Sequence, residues 1–399
     1  MKRLLLISRC PPYPLHLGDR LIVYHLAEEL EARRWQIDLL AFTSRPEDPD
    51  ERRFYEHRFE QVTLIPEPRR GYGSYLERAL FPGARWPRRA GQSWSPAMWQ
   101  AIEARLQTGA YDAAHLFGGV QVYEFFHALR GLPAIITPYE SYSLYLRRQV
   151  EQSRSFSPAW AANTARWRLA RAFESWMFNP YRRVVVVSER DRDELLALNP
   201  ALPVTVIPNG VDLYHFRRAR AGRKARALLF IGNYEYAPNL DAARFLVTDI
   251  LPQVQRRIPD VKLWLVGNAP PPELRALSSD TIKVTGRVPD VRPYLARAAA
   301  FVCPLRLGAG IKNKVLEALA VGCPVVATPL SLDGIAARDG DHVLTAEGAS
   351  FADAVVCLML DLDLQRRLAD GGRALVERHY SWSHVAELYE ELYGTVHDL

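Results

Sequence analysis

Apolar residues recur along the chain in two patterns, one typical of strands and one typical of helices. Residues 3–8 and 36–42 are short apolar runs of the kind found in strands that are buried on both faces. Between them, residues 20–35 carry apolar side chains at helical spacing, among them Ile22 and Leu26. A strand, a helix and a second strand in so short a stretch predict two parallel strands joined by a right-handed crossover.

The same alternation continues through most of the remaining sequence. Residues 68–110, rich in Arg, Pro, Gly and Trp, predict irregular structure with one or two helices, whereas 143–178 and 383–396 predict helical segments. Further helices are predicted to begin near residues 239 and 311. Two successive runs of alternation predict an α/β protein with two doubly wound parallel sheets. The other predicted strands are 61–66, 113–118, 134–139, 183–188, 227–232, 261–267, 282–286, 300–305 and 324–329.

The stretch 203–226 separates the two runs of alternation. It combines a Pro-Asn-Gly turn with a basic, glycine-containing segment, as is typical of a connection between domains. We therefore predict an N-terminal domain over residues 1–205 and a C-terminal domain over 206–379. Open parallel sheets bind ligands at the carboxyl ends of their strands, so two facing sheets would place these edges around one cleft.

Composition and charge narrow the classes of function. The chain has 399 residues, 48% of them apolar, which is enough for two cores. Its net charge of +6 indicates a mild preference for an anionic ligand or surface, and no Lys-rich run suggests a nucleic-acid partner. The cysteines lack metal-ligand spacing and are predicted to be core residues; they are Cys10, Cys303, Cys323 and Cys357.

The apolar runs are too short for a secretory signal or a membrane span, which predicts a cytoplasmic protein. The segment 143–178 combines several tryptophans with arginines, and two interpretations of it stay open. One is packing within or between domains. The other is peripheral contact of the N-terminal domain with anionic lipid headgroups, which would place the protein at the inner face of the cell membrane.

The stretch GAGIKNKVLEALAVGCPVVATP, residues 308–329, places two lysines at the start of a predicted helix. Cations are unfavourable there because the free N–H groups of the first turn are already positive. A bound phosphate would offset Lys312 and Lys314, and the flanking glycines would let the backbone approach it. Glu317, one turn further, could accept hydrogen bonds from sugar hydroxyls, so the pattern predicts a nucleotide site. The alternative is a solvated basic turn.

The same stretch resembles the donor-binding segment of retaining GT-B glycosyltransferases of the family 4 type, and is most similar to the bacterial exopolysaccharide-associated group. Further similar segments follow in the family's order and spacing: 184–212, 228–246, 262–267, 284–305 and 378–393. The resemblance covers the C-terminal half nearly end to end. In the N-terminal half it is limited to the first strand–helix unit and the general pattern.

The resemblance implies a GT-B fold, in which two doubly wound Rossmann-like domains face a cleft. The domain 1–205 would bind the acceptor, the domain 206–379 would bind a nucleotide sugar, and the helix within 380–399 would cross back to the N-terminal domain. It also implies a retaining hexosyltransferase. Such an enzyme moves a sugar from a nucleotide-diphosphate sugar to a glycan, lipid-linked or small-molecule acceptor, in polysaccharide or glycoconjugate biosynthesis.

Within this family, Glu317 matches the second acidic residue of the E-x7-E motif and would contact the ribose. The position of the first glutamate, which holds the donor sugar, is occupied by Ala309. Many members grip the diphosphate with Arg and Lys where this chain has the uncharged Asn233, Pro238 and Asn239. We therefore expect Lys312 and Lys314 to replace the missing positive charge. The predicted donor-binding residues are Gly18, Gly232, Asn233, Gly286, Arg287, Val288, Gly308, Ala309, Gly310, Ile311, Lys312, Asn313, Lys314 and Glu317.

Three of the predicted positions lie in the N-terminal domain. Gly18 matches the family's glycine that passes near the donor phosphates, although a plain turn is the alternative. His115 matches the first histidine of the H-x-H pattern and is a catalytic candidate, although a hydrogen-bonded core histidine is the alternative. Glu140, at a strand end, is an acceptor-contact candidate. Asp191 and its acidic neighbours are instead expected to form a charged helix face.

The implied mechanism needs no protein nucleophile. In a front-face reaction the leaving diphosphate helps to deprotonate the acceptor, and the protein acts by positioning and by stabilising charge. The catalytic candidates are therefore His115, Lys314 and Glu317. We expect neither a metal nor another cofactor, because no D-x-D pair stands at an appropriate place. Residues 361–364 contain a D-x-D spelling, but they fall in a helical region.

Two alternative functions fit the same resemblance. One is a nucleotide-sugar epimerase of the GT-B fold, which would need carboxylates placed for proton abstraction. The other is a non-catalytic partner that binds a nucleotide sugar or glycan, which the alanine in the first position of E-x7-E would permit.

Overall fold

The computed structural model describes residues 2–15, 18–153, 155, 157–218, 225–308 and 310–396. The chain divides into two compact units. The N-terminal unit comprises Met1–Ile207 together with Val385–Leu399, and the C-terminal unit comprises Pro208–His384. The sequence analysis placed the corresponding boundaries after residues 205 and 379.

Within the described residues, the N-terminal unit contains a seven-stranded parallel sheet in the order β3-β2-β1-β4-β5-β6-β7. Order reverses between β1 and β4, as in a doubly wound sheet. The strands are β1 (Arg3–Ser8), β2 (Gln36–Thr43), β3 (Gln61–Pro66), β4 (Ala113–Phe117), β5 (Ala134–Tyr139), β6 (Arg183–Val186) and β7 (Val204–Val206). The helices are α1 (Gly18–Ala32), α2 (Tyr72–Leu80), α3 (Pro96–Thr108), α4 (Tyr142–Gln152), α5 (Pro158–Glu174) and α6 (Glu189–Leu198).

The described part of the C-terminal unit contains a six-stranded parallel sheet in the order β10-β9-β8-β11-β12-β13. Its strands are β8 (Ala227–Ile231), β9 (Lys262–Val266), β10 (Ile282–Val284), β11 (Ala300–Cys303), β12 (Val325–Ala327) and β13 (Leu344–Thr345). Its helices are α7 (Ala237–Phe245), α8 (Leu251–Gln255), α9 (Pro272–Arg275), α10 (Arg292–Arg297), α11 (Asn313–Val321), α12 (Ser350–Leu360) and α13 (Leu362–His379). The strand order reverses between β8 and β11, so their carboxyl ends frame the crevice where such sheets bind ligands.

The last helix, α14 (Trp382–Thr395), brings the chain back to the N-terminal unit. There the Tyr393 hydroxyl lies 2.6 Å from Nδ1 of His115, and Trp35 Nε1 donates to Glu390 at 2.7 Å. The return of the C-terminal helix to the N-terminal unit was predicted and is confirmed.

The two predicted doubly wound sheets are confirmed. The prediction succeeded because a strand with a continuous apolar run is stable only where both faces of the sheet are covered. Leu4, Leu5 and Leu6 of β1, for example, are fully buried. Two strands were missed, β7 and β13. The first lies within the stretch interpreted as a domain connection, and the second is only two residues long.

The segment 143–178 is largely helical as predicted, and it forms two helices, α4 and α5, since Ser157 caps a new helix whose first residue is Pro158. One expectation needs correction. Cys357 is exposed on α12, whereas the other cysteines are buried as predicted. No helix among the described residues has the length and apolar character needed to cross a membrane.

Candidate functional site

The candidate site lies at the carboxyl ends of the strands of the C-terminal unit. β8 and β9 approach each other closely where they end, and Gly232 N donates to Val266 O at 3.0 Å. Gly267 has a φ of +143°, and a Cβ added there would lie 1.9 Å from the carbonyl oxygen of Gly232. Only glycine fits this position, and the sequence analysis did not single it out.

The loop that follows β11 carries two glycines with left-handed backbone. Gly308 has a φ of +108° and Gly310 a φ of +67°. A Cβ at Gly308 would come within 3.2 Å of the Tyr236 hydroxyl. Glycine at position 308 therefore allows both the left-handed backbone and the close approach of this loop to Tyr236. Ala309, a predicted donor-binding residue, lies outside the described residues.

Lys312 occupies the position just before α11 and is buried. Its ammonium donates to the carbonyl oxygen of Gly310, so it closes the glycine loop on itself. Ile311 lies next to it and packs against the core of the C-terminal unit. Lys312 thus shapes the loop, and its predicted direct contact with a phosphate stays a prediction.

Lys314 lies in the first turn of α11, where its side chain is partly buried. Its Nζ donates to Oδ1 of Asn239 and lies 4.6 Å from the centroid of the Phe230 ring. Burial lowers the pKa of the Lys314 ammonium to about 8, and the neighbouring charge of Lys312 acts in the same direction. The fold therefore holds a cation in a place that disfavours its charge.

Asn239 connects Lys314 to the turn after β8. Its Nδ2 donates to the carbonyl oxygen of Asn233 at 2.8 Å. A Cβ at Gly232 would lie 2.9 Å from Cγ of Asn239, so the absence of a side chain at Gly232 makes this contact possible. Sequence comparison treated Asn239 as a lost charge, whereas the structure shows it orienting a lysine from another element.

Glu317 lies one turn beyond Lys314 on α11 and is also partly buried. Burial raises the pKa of its carboxyl to about 7, with the charge of Lys314 opposing the shift. Among the described residues, none donates a hydrogen bond to this carboxylate. Partly buried carboxylates normally have such donors, so Glu317 is suited to a ligand that brings hydroxyl groups.

The remaining predicted donor residues lie on the same edge of the sheet. Asn313, the first residue of α11, accepts a hydrogen bond from Nδ2 of Asn209 at 2.9 Å. Gly286, with a φ of +70°, follows β10 and accepts from the Gly267 N–H at 3.2 Å, and it leads into Arg287 and Val288. The turns after β8, β9, β10 and β11 therefore converge at one edge, as expected for a ligand site in a parallel sheet.

These contacts explain what the site can do chemically. The free N–H groups of the first turn of α11 and the ammonium of Lys314 favour an anion, while Glu317 accepts hydrogen bonds. A phosphate group joined to a sugar provides both partners. Phe230, beside the ammonium of Lys314, was missed by sequence analysis because an aromatic in an apolar run is indistinguishable from an ordinary core residue. Tyr236, beside Gly308, lies in a polar turn where no local pattern marks it.

The predicted residues of the N-terminal unit are placed differently. Gly18 is the exposed first residue of α1, and Glu140 directly follows β5. Tyr139, just before Glu140, has a φ of +72°, which is strained for a residue with a side chain. The roles of Gly18 and Glu140 stay predictions.

His115 is a fully buried residue of β4. Its Nδ1 lies 2.6 Å from the Tyr393 hydroxyl and its Nε2 lies 2.7 Å from Oγ1 of Thr137. Burial lowers the pKa of His115 to about 3. With both ring nitrogens occupied and no exposed surface, this geometry favours the alternative of a hydrogen-bonded core histidine over a catalytic one.

We expect His115→Gln to lower the free energy of unfolding by about 1–3 kcal/mol, because one buried hydroxyl loses its partner. The same substitution should remove part of the acid sensitivity of the N-terminal unit. In the wild type, the histidine of the unfolded state is protonated below about pH 6.5, whereas native His115 is protonated only below about pH 3. The free energy of unfolding therefore decreases as the pH is lowered from 6.5 to 3. Urea titrations at several pH values measure this. A large fall in kcat with unchanged stability would instead support the catalytic assignment.

The expectation of a charged helix face at the start of α6 was wrong for Asp191. Its carboxylate is fully buried and accepts from the Ser141 N–H at 2.9 Å, besides its hydrogen bond with Ser188. Asp193 is exposed, and Glu194 forms an ion pair with Arg147 at 2.7 Å. Helical spacing alone cannot show that one acidic residue of three reaches a buried N–H.

Comparison with known proteins places these elements in a wider group. The family model described as Glycosyltransferase Family 4 matches residues 21–215, and the model described as Glycosyl transferases group 1 matches residues 225–361. Together they extend over most of both units.

Relatives from two mycobacteria share the name Phosphatidyl-myo-inositol mannosyltransferase. The Mycobacterium tuberculosis protein is 32% identical over 206 residues, which are 48% of this chain and 53% of that relative. The Mycobacterium leprae protein is 29% identical over 388 residues, or 94% of this chain and 92% of the relative. The match to the Mycobacterium tuberculosis relative thus spans about half of that relative's length.

Solved structures share the fold. Sucrose-phosphate synthase from Thermosynechococcus elongatus superimposes with a TM-score of 0.73 at 19% identity, covering 100% of both chains. HepE of Anabaena, solved in complex with UDP, superimposes with a TM-score of 0.67 at 14% identity, covering 99% of this chain and 100% of that one. At these identities the likeness shows the arrangement of strands and helices alone.

Proposed function

Because this chain belongs to the GT-B glycosyltransferases of the family 4 type, we propose that it is a retaining hexosyltransferase that uses a nucleotide-diphosphate sugar as donor. The acceptor is a glycan, a lipid-linked sugar or a small molecule, and the product enters polysaccharide or glycoconjugate synthesis. The observation that carries the proposal is the pair on α11, Lys314 and Glu317. The lysine has a disfavoured charge, and the described residues supply no hydrogen-bond donor to the carboxylate.

The identity of the donor draws on this pair and on the relatives. A diphosphate beside Lys314 would restore the charge of its ammonium, and a ribose would supply hydroxyl donors to Glu317. HepE of Anabaena is described in complex with UDP and with UDP-glucose, which supports a nucleoside diphosphate sugar as the class of donor. The name that the mycobacterial relatives share, Phosphatidyl-myo-inositol mannosyltransferase, supports a lipid as the acceptor.

The proposed reaction breaks the bond between the anomeric carbon and the donor phosphate oxygen. The acceptor hydroxyl oxygen forms the new bond on the same face of the sugar, and its proton passes to the departing diphosphate. Lys314 and the N–H groups of α11 stabilise the negative charge that grows on that diphosphate. We propose that these groups supply the positive charge for which other transferases use a metal ion, so no metal or further cofactor is assigned.

A thermal-shift screen with UDP-, GDP- and ADP-sugars tests the proposal. A ligand that binds only the native protein stabilises it by about 2.7 kcal/mol at one hundred times its Kd, so one nucleotide class should raise Tm well above the others. The same preparation is then assayed for donor hydrolysis, since a transferase leaks some sugar to water.

The outcomes separate the competing functions. Stabilisation together with release of free sugar or transfer to an acceptor supports the transferase. Stabilisation without turnover identifies a non-catalytic binding partner, and conversion of one nucleotide sugar into its epimer identifies an epimerase. If no nucleotide sugar changes Tm at millimolar concentration, the site assignment on α11 is overturned.

A further inference from the structure

Tyr236 lies in the crevice where the strand order of the C-terminal sheet reverses. It follows the turn after β8 and is the last residue before α7. Its hydroxyl is close to the loop that follows β11, because a Cβ added to Gly308 would lie 3.2 Å from that oxygen. The phenol therefore reaches from one strand end to the other across the crevice in which such sheets bind ligands.

The backbone on both sides of Tyr236 is held in place. Its N–H donates to the carbonyl oxygen of Asn233 at 3.2 Å, and its own carbonyl oxygen accepts from the Asn239 and Leu240 N–H groups at 2.9 and 3.3 Å. The side chain of Asn239 in turn accepts from the ammonium of Lys314. Tyr236 and Lys314 thus belong to one hydrogen-bonded arrangement, which fixes the position of the phenol relative to that lysine.

The first four residues of α7 offer few N–H groups to a ligand, in contrast to the start of α11. Pro238, in the first turn, has no N–H. The N–H groups of the next two residues already donate to the carbonyl oxygen of Tyr236. The side-chain hydroxyl of Tyr236 therefore supplies a donor where the backbone of α7 supplies little.

The two tyrosines of this turn have different environments. Tyr234 is 2% exposed, its ring packs against Phe230, and its hydroxyl donates to the carbonyl oxygen of Val266 at 3.4 Å. Tyr236 is 38% exposed. The first tyrosine thus belongs to the core, whereas the second is accessible to a molecule that enters the crevice.

The order of groups along the site indicates which part of a donor the phenol meets. Glu317 lies one turn further into α11 than Lys314, about 4.5 Å along the helix axis. Gly308 precedes Lys314 in the opposite direction. The proposed function assigns the ribose to Glu317 and the diphosphate to Lys314, so the phosphate that carries the sugar is directed towards Gly308 and Tyr236.

A neutral donor suits this position because two ammonium groups already lie nearby. Burial lowers the pKa of Lys314, and the charge of Lys312 acts in the same direction. A third cation would add repulsion in the protein without ligand, whereas an O–H group adds a donor and no charge. Hydrogen bonds from O–H groups to charged oxygen atoms are short and roughly twice as strong as those between neutral groups.

We propose that the Tyr236 hydroxyl donates a hydrogen bond to the sugar-bearing phosphate of the donor and stabilises the charge that grows there as the sugar leaves. The phenol keeps its proton, and the acceptor proton still passes to the departing diphosphate, so the bonds that form and break are those of the proposed reaction. The inference rests on the proposed function, because it adds a contact to the same donor site.

The test compares Tyr236→Phe with the wild type in two calorimetric titrations. The first uses whichever of UDP, GDP and ADP binds the wild type most tightly, and the second uses its monophosphate, which lacks the phosphate assigned to Tyr236. We expect the Kd of the diphosphate to rise by roughly tenfold, since one charge-assisted hydrogen bond is lost, and the Kd of the monophosphate to stay unchanged. With the nucleotide sugar, kcat should fall by roughly 10- to 100-fold, because the hydrogen bond strengthens as the phosphate gains charge.

The matched control is Tyr214→Phe, which removes the hydroxyl of a tyrosine in the same unit that is 88% exposed. Both Kd values and kcat of this control should equal those of the wild type. Neither substitution should change Tm without ligand, because phenylalanine keeps the ring and its packing.

The outcomes separate failure of this inference from failure of the proposed function. If the wild type binds the nucleotides and Tyr236→Phe changes neither Kd nor kcat, the inference is overturned and the proposed function stands. The same conclusion follows if both Kd values rise by one factor or Tm without ligand falls, since the hydroxyl would then hold the glycine loop and not a phosphate. If no nucleotide binds the wild type, the proposed function and the inference are both overturned.

Discussion

Lys314→Met is expected to lower kcat/KM for the nucleotide sugar by roughly 100- to 1000-fold, the usual effect of removing one preorganised group that stabilises developing charge. Methionine keeps the apolar stem over the Phe230 ring and loses only the ammonium. The loss should appear in kcat as well as in KM, because charge on the diphosphate is greatest when the sugar leaves. Steady-state kinetics with the donor identified by thermal shift measures this.

The same substitution should not weaken the protein without ligand. Burial lowers the pKa of Lys314, which means that folding disfavours its charge, so the methionine variant should be as stable as the wild type or more so. A matched control is Lys262→Met, which removes an exposed lysine at the start of β9 and should leave kcat/KM unchanged. Unchanged donor kinetics in Lys314→Met would contradict the proposed diphosphate contact, and a collapse of Tm would make Lys314 a structural residue.

Glu317→Gln is expected to lower donor affinity by roughly 10- to 100-fold, because a charged acceptor of hydroxyl groups becomes a neutral one. The effect should depend on the ribose. The wild type should discriminate against 2′-deoxy and 3′-deoxy forms of the nucleotide, and the variant should lose most of that discrimination. Calorimetric titration with the nucleoside diphosphates gives both numbers.

The pH dependence of donor affinity supplies a second test. Glu317 accepts hydrogen bonds more strongly when it is ionised, and its pKa is raised to about 7, so affinity should rise as pH increases through 7. Lys314 must be protonated, and its pKa is lowered to about 8, so affinity should fall above pH 8. In the resulting bell-shaped profile, Glu317→Gln should remove the acidic limb and Lys314→Met should remove the basic limb.

Exposed Glu347 provides the control for both measurements, because Glu347→Gln removes one carboxylate from the surface of the same unit. Its titration and pH profile should match those of the wild type. If Glu317→Gln binds 2′-deoxy and ordinary nucleotides with the wild-type ratio, the ribose assignment is wrong.

The sequence by itself determined the elements and the site loop. β1 and β5 lie where the apolar runs predict them, because a strand in a covered parallel sheet must be apolar on both faces and this property is visible in the local sequence. The Gly-rich loop and the two lysines at the start of α11 were found in the same way, since glycines in a turn and cations at a helix start are visible in the local sequence.

The tertiary structure decided what distant residues do to one another. His115 could be assigned as a core residue only through Tyr393, which is 278 positions away in the chain. The orientation of Lys314 by Asn239 spans 75 positions. Hydrophobic periodicity records which face of an element is buried, but the partner of a buried polar group is set by how the elements pack.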